Sequence, residues 1–380
     1  MIVLFALGLG ALLHAYLIYP LSMQAVALLR PRRRPATAPA DAREWPSITL
    51  VISAYNEERV LREKLENVAA LDYPAGRLQA IVVSDGSTDE TEAIARAFAP
   101  QGVALRAFTG RQGKVACLNR VLPDVRSDLV VMSDANSLYE PGSLRRLAEH
   151  FADARIGCVC GELRYRNTRE LSSGEGERAY WEYERWVKRV EGASGSLLGA
   201  NGAIYAFRSP LFRQVDPLMF CDDVIPVRIR IGGADVIYEP GALCLEEAVD
   251  ERTERRRRRR HASFGLRSML ALCREAASSG RPLVVYQCVS HRILRWFGGL
   301  WLFLILVGTS GLPAPYFQAA ASAQGALYGA AAVGWVLDRL GRRVTILYLP
   351  FYALAITAAG ILGLVHYFRG TDRPWWEPRQ

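Results

Sequence analysis

Carboxylates recur at set places in the middle of this chain: Asp85 after Val82-Val83-Ser84, Asp134 after Leu129-Val130-Val131-Met132-Ser133, and the adjacent pair Asp222-Asp223. Oxygen ligands at the ends of apolar runs suit a divalent cation bridging a diphosphate, since such a cation prefers hard oxygen donors and takes only one or two from protein. Adjacent carboxylates raise each other's pKa, which suits a base that must be ionised beside a developing nucleophile. Lys114, in Gly110-Arg111-Gln112-Gly113-Lys114, adds a cation where glycines let backbone amides approach an anion. The segment is not a P-loop, because Val115 stands where a Ser or Thr hydroxyl is required.

The elements that would position these groups alternate. Ser47 to Ala54 reads as a strand and Glu57 to Leu71, with Val60, Leu61, Leu65 and Val68 at helical spacing, as a helix. Leu78 to Ser84 and Thr88 to Phe98 repeat the pattern, followed by strand Val103 to Phe108, a helix through Val115 to Leu122, and strand Leu129 to Ser133. Such alternation predicts a parallel sheet with helices on both faces, binding ligands beyond the carboxyl ends of its strands. Plainer readings apply to several of these residues. Glu57 and Glu58 suit the start of any helix, and Ser87 or Thr88 would cap the helix that follows. Tyr180, Trp181, Tyr183 and Trp186 read as core, and the unbroken run Arg255 to Arg260 as a solvated or membrane-surface face.

The 380 residues accommodate one α/β domain of about 250 residues plus several membrane spans. Residues 2–29, 297–312, 318–337 and 344–368 are apolar stretches near the length a bilayer demands. The formal charge of +9 is carried mostly by arginines beside these stretches, which favours an anionic membrane surface or anionic substrate over nucleic acid. Arg30, Arg32, Arg33 and Arg34 after the first stretch, and Arg339, Arg342 and Arg343 between the last two, place the polar domain in the cytoplasm. Seven cysteines without a CxxC pair read as reduced thiols. The organisation that follows is an N-terminal transmembrane helix (1–30), a Pro/Ala-rich linker (31–46), a cytoplasmic domain (47–260), interfacial amphipathic helices (261–296), three transmembrane helices (297–368) and a tail (369–380).

Over residues 46–296, the order Ser53-Ala54-Tyr55-Asn56-Glu57-Glu58, Ser84-Asp85-Gly86-Ser87-Thr88-Asp89, Gly113-Lys114, Asp134-Ala135-Asn136 and Asp222-Asp223 resembles the family 2 glycosyltransferases. The resemblance implies an α/β GT-A fold, a Rossmann-like mixed sheet flanked by transmembrane α-helices. It implies inverting transfer of a sugar from a nucleoside diphosphate, UDP first, to a growing polysaccharide, or alternatively one sugar to a lipid-linked acceptor. Ala54, Tyr55, Asn56, Glu57, Asp85, Gly113, Lys114 and Asp134 would then meet the nucleotide sugar, with Arg256 and Arg259 of the arginine run on the diphosphate. Asp134 and Asn136 would hold Mg2+ or Mn2+; Asn136 replaces the family's usual second aspartate, removing one negative charge. Gly199, Ala200, Asn201 and Gly202 would line the acceptor side. Asp222 and Asp223 match the family's Glu-Asp motif, whose aspartate is the base: literal matching points to Asp223, spacing to Arg228 points to Asp222. The family's Gln-x-x-Arg-Trp segment has two stand-ins, the arginine run and Arg292-Ile293-Leu294-Arg295-Trp296; the run is assigned the diphosphate contacts and residues 292–296 an interfacial anchor. A multi-pass protein of the bacterial inner membrane, with a homo-oligomer or accessory subunit as further partners, completes that expectation. Two rivals are a non-catalytic sugar-nucleotide scaffold and a nucleotidyltransferase, and the latter lacks its glycine-rich loop where Ala54-Tyr55-Asn56 stands.

Overall fold

A computed structural model describes residues 1–30, 41–166, 175–247, 251–342 and 344–369; the side chains of residues 251–263, Arg256 and Arg259 among them, lie outside the described residues. Eight strands form one sheet: β1 (Ile48–Ala54), β2 (Leu78–Ser84), β3 (Val103–Ala107), β4 (Leu129–Asp134), β5 (Leu138–Tyr139), β6 (Ile156–Tyr165), β7 (Tyr205–Arg208) and β8 (Asp235–Glu246). The helices are α1 (Ile2–Leu29), α2 (Glu58–Ala69), α3 (Thr91–Ala97), α4 (Lys114–Val121), α5 (Ser143–Glu149), α6 (Glu175–Ala193), α7 (Cys221–Ile231) and α8 (Glu251–Ser278). After them come α9 (Pro282–Trp296), α10 (Gly298–Thr309), α11 (Ala314–Arg339) and α12 (Thr345–Arg369).

Strand order is β3-β2-β1-β4-β7-β6-β8-β5. The first four are parallel, as their alternation with helices predicts, but β7 joins β4 antiparallel, so the sheet as a whole is mixed. β1 and β4 are nearly continuous apolar runs because both faces of this part of the sheet are covered. Along β1, Leu50 and Ile52 enter one core with Leu61 and Leu65 of α2, while Val51 enters the opposite core with Leu118 of α4 and Val224 of α7. Register pairs Ala54 with Ser84 and Ser53 with Asp134, which aligns the carboxyl ends of β1, β2 and β4. The chain leaves β1 towards β2 on one side and reaches β4 on the other, so a crevice opens at this switch point.

The apolar helices pack by a different rule. Proline at position 20 cannot donate to the helix ladder, and α1 takes a π-turn over His14–Ile18 just before it. Glycines bring α1 against α10: a Cβ on Gly8 would lie 2.6 Å from the Trp301 carbonyl oxygen, and one on Gly308 would collide with the Phe5 backbone. Large apolar side chains point the other way. Apart from Trp181, Leu211 and Val289, every exposed large hydrophobic side chain among the described residues lies within residues 1–29 or between Leu300 and Phe368. Trp181 is 41% exposed, which departs from the expectation of core; Tyr183 and Trp186 do pack on Tyr19, Met23, Val187 and Val190. Of the four expected spans, α1 alone is long and apolar enough to cross a bilayer by itself, and α9 with α10, bent by 66°, passes as a pair. The third and fourth stretches correspond to α11 and α12, whose described residues do not reach that mark.

Glycine is therefore required at Gly8 and dispensable at Gly10, which has nothing within 4 Å of an added Cβ. Gly8→Leu is expected to lower unfolding stability in detergent by about 1–3 kcal/mol through overpacking, whereas Gly10→Ala leaves it unchanged or slightly higher; paired melting curves decide.

Candidate functional site

Two turns beyond the strand ends are tied together first. Asn56, in the left-handed region with φ 53°, accepts the Thr88 amide on Oδ1 at 2.9 Å, and its own amide donates to Ser87 Oγ at 3.2 Å. The Glu58 amide donates to Asp89 at 3.1 Å and the Glu90 amide to Glu58 at 3.1 Å. Ser87 and Thr88 thus join the turn after β1 and do not cap the next helix; α3 begins later, at Thr91, whose amide donates to Asp89 Oδ1 at 3.0 Å. Asn56 is a latch between turns, outside the lining of the adjoining cleft.

Asp85 organises the next loop. Its carboxylate accepts from the amides of Gln112 (2.6 Å) and Gly113 (2.9 Å) and from the Cys117 thiol (3.3 Å), and the residue is 4% exposed. Gly86 has φ +72°, and a Cβ there would lie 2.6 Å from the Gly110 carbonyl oxygen, so glycine is what lets the two turns touch. Arg111 in this loop lays its guanidinium 3.9 Å over the Tyr55 ring. The sequence reading passed over Arg111, and only its place between two glycines could have drawn attention to it.

The loop delivers Lys114, the first residue of α4, into the crevice, where its Nζ lies 2.8 Å from Asp134 Oδ1. Burial works against the ammonium, but Asp134 and then Asp222 hold its pKa well above the ordinary lysine value. The cleft is lined by Ala54, Tyr55, Glu57, Asp85, Lys114, Cys117, Asp134 and Asn136, together with Ser53, Val83 and Ala135. Asp222 stands beside it at the start of α7, close enough to Gly202 that an added Cβ would strike its carboxylate. The Asp222 carbonyl accepts the Ala200 amide at 2.8 Å. Its neighbour Asp223 pairs with Arg292 at 3.2 Å, and Gly199, at φ +97°, leaves room for that carboxylate 2.6 Å from where a Cβ would sit. Burial, reinforced by Asp222, raises the Asp223 pKa, and Arg292 opposes the rise.

The donor set suits a hard divalent cation. Asp134 offers a carboxylate, Asn136 lines the same cleft, and the Lys114 ammonium already lies against Asp134 where positive charge is favoured. No group of three or more His, Cys, Asp or Glu capable of holding a metal occurs among the described residues, and Asp134 and Asn136 are the groups of this cleft that would hold one. Asn201 turns away from the cleft: its side chain takes Lys188 Nζ at 2.9 Å and donates to the Gly161 carbonyl at 3.1 Å.

Residues 292–296 require a correction. They pack inward: Arg292 reaches Asp223 and the Leu198 carbonyl (3.1 Å), Arg295 reaches Glu184 (2.6 Å) and the Tyr183 hydroxyl (3.0 Å), and the Trp296 ring covers Gly265. Buried carboxylates on α6 and α7 draw these arginines in, a reason invisible to local composition. Lys64 was missed too. It is fully buried on α2, donates to the Ser137 carbonyl at 2.5 Å and lies 3.8 Å over the Tyr139 ring, while Ser137 donates to Glu246 at 2.5 Å. These contacts clamp the turn that follows Asp134. Its signal in the sequence is a lysine beside the apolar stripe of an amphipathic helix.

Residues 49–215 match the family Glycosyl transferase family 2, a span that includes Asp85, Lys114 and Asp134 and ends before Asp222. A beta-monoglucosyldiacylglycerol synthase of Synechocystis sp. is 33% identical over 199 residues, covering 49% of this chain and 41% of that protein. A poly-beta-1,6-N-acetyl-D-glucosamine synthase of Staphylococcus aureus is 26% identical over 207 residues, covering 53% of this chain and 50% of that protein. The matched stretches thus span half or less of these relatives. The mannosyltransferase PcManGT from Pyrobaculum calidifontis, solved in complex with GDP-Man and Mn2+, shares the fold with a TM-score of 0.72 over 98% of both chains at 22% identity.

Asp85→Asn turns an amide group towards backbone donors and should release the Gly110–Lys114 loop. With about 1.5–3 kcal/mol carried by each bond to a charged acceptor, nucleoside diphosphate affinity is expected to fall at least tenfold by calorimetry, and unchanged affinity would show that the loop stands without it. Lys64 gives a pH test. Burial lowers its pKa from 10.5 to about 8, so between those values the unfolded chain holds a proton that the folded chain has released, and stability rises with pH. Wild type should gain about 3 kcal/mol over Lys64→Met across that window in denaturant titrations.

Proposed function

From a chain that carries a family 2 glycosyltransferase domain, we propose an inverting enzyme that moves a sugar from a nucleoside diphosphate, UDP first, to an acceptor hydroxyl at a membrane. One observation carries the reading: Asp85, Lys114 and Asp134, far apart in the polymer, line one crevice at the switch point of the sheet, and Asp222, the neighbour of Asp223, stands near enough to bear on the Lys114 charge. Lys114 faces the leaving diphosphate and stabilises the charge that develops there. A Mg2+ or Mn2+ ion, held by Asp134 and Asn136, would supply further neutralisation of that leaving group. Tyr55 and Arg111 offer a stacked face for the base, and the Asp85-held loop keeps amides turned inward.

Asp223 is the better of the two candidate bases. It stands at the Gly199 turn, where burial raises its pKa and so its strength as a proton acceptor. It takes the proton as the acceptor oxygen attacks the anomeric carbon from the face opposite the diphosphate, in a single displacement. Arg292 keeps this carboxylate ionised enough to accept.

The membrane part of the reading rests on the inside-out packing of α1 and α10 to α12, with small residues between helices and large apolar ones outward. Extension of a polysaccharide is the favoured outcome, with the catalytic domain on the cytoplasmic face. A second reading, one sugar added to a lipid, is supported by the similarity to a beta-monoglucosyldiacylglycerol synthase and by the small number of bilayer-length helices among the described residues.

Purified protein in lipid, given a panel of nucleotide sugars with Mn2+, should release nucleoside diphosphate and label a membrane acceptor; a ladder of chain lengths marks a polymer, a single adduct marks a lipid. Asp223→Asn is expected to lower kcat by roughly 10²–10⁴-fold while nucleotide binding persists. Full turnover in that variant would remove Asp223 from the mechanism.

A further inference from the structure

Glu191, on α6, is 1% exposed and is used by nothing in the scheme above. Its Oε1 lies 2.6 Å from His291 Nδ1 and also accepts the Tyr19 hydroxyl of α1, while its Oε2 accepts the Leu198 amide at 3.1 Å. The carboxylate thus joins three segments distant in sequence: the N-terminal helix, α9 and the turn before Gly199. Leu198 is held from both sides, since its carbonyl accepts from Arg292, the residue after His291, at 3.1 Å. Arg292 with the same nitrogen reaches Asp223 at 3.2 Å. The next residues complete the seat of the acid pair, Gly199 against the Asp223 carboxylate and the Ala200 amide on the Asp222 carbonyl. Glu184, two turns earlier on the same face of α6, lies 3.8 Å from His291 Nε2 and 2.6 Å from Arg295, so α9 is anchored to α6 by three contacts among His291, Arg295, Glu184 and Glu191.

We propose that Glu191 is a positioning residue for sugar transfer, fixing both the Leu198 turn and Arg292 so that Asp223 faces the acceptor. The inference deepens the transfer reading and rests on it. A carboxylate is needed because only an acceptor without hydrogens can receive all three donors; an amide must turn one N–H towards a donor and release it. Buried ion pairs often add little to stability, so a geometric role is the better account of this one. The link also runs to α1, through Tyr19, so the outermost apolar helix of the chain touches the residue that sets the acid pair.

The test uses the full chain in lipid with the nucleotide sugar that gives turnover in the panel. Glu191→Gln is expected to lower kcat at least tenfold while donor KM stays within twofold, because the donor side of the cleft does not depend on Leu198. His291→Asn should give a comparable kcat loss, and the double variant no further loss. A wild-type kcat in Glu191→Gln, or a raised KM with kcat intact, overturns the proposal. If Glu191→Gln no longer binds nucleotide, Tyr19→Phe decides, since it deletes one hydroxyl: a threefold or greater fall in kcat at constant KM supports the role, and no change refutes it. Asp223→Asn run alongside separates the two levels. Unimpaired Asp223→Asn removes the transfer scheme and this inference with it, whereas an inactive Asp223→Asn beside a normal Glu191→Gln removes this inference alone.

Discussion

Like charges brought together at the mouth of a sheet repel one another, and the Lys114 ammonium is what makes that gathering tolerable here. It lies 2.8 Å from Asp134 and within the field of Asp222, in a place where burial works against its charge. At the low effective dielectric of a buried crevice such a charge interacts several-fold more strongly than in water. Much of the nearby structure serves to put it there. Asp85 holds the loop before it, glycines at 86, 110 and 113 permit the loop's path, and the β1–β4 register sets the opposing carboxylate.

The parallel half of the sheet was legible because its strands are short apolar runs flanked by amphipathic helices, with boundaries that fall within a few residues of those observed. That Asp85 and Asp134 lie at one edge was legible for a related reason: acids at strand ends share an edge whenever strands run parallel. What resisted reading were contacts set by the far partner. A sequence shows Arg292 beside Trp296 and an apolar stretch, which suits a membrane surface, and only the fold shows that Asp223 and Glu184 wait on the other side. Lys64 was obscured in the same way, since an isolated lysine looks exposed until the Ser137 carbonyl is placed above it. Ser87 and Thr88 were read as a cap because turns usually precede helices closely, whereas here Asn56 claims the turn.

Two packing regimes meet in this chain. In the sheet, large aliphatic side chains fill both faces. In the helical part, glycines lie between helices and aliphatic side chains face outward. Helices α6 and α9 lie at the seam and carry charged residues that find partners across it, among them Glu184, Glu191, His291 and Arg295. Such a seam transmits the placement of one half to the other without a flexible joint.

The contact of Gly8 with the Trp301–Ile305 backbone has a consequence for how the molecule is made. Because α1 precedes the α/β domain in the chain and α10 follows it, α1 meets this neighbour only after the whole domain has been synthesised. During that interval its small-residue groove has no occupant from its own chain, and closing so long a loop is slow in coming but adds only modestly to the entropy already lost. Closure of α1 on α10 therefore follows synthesis of the domain, an order set by where the glycines lie.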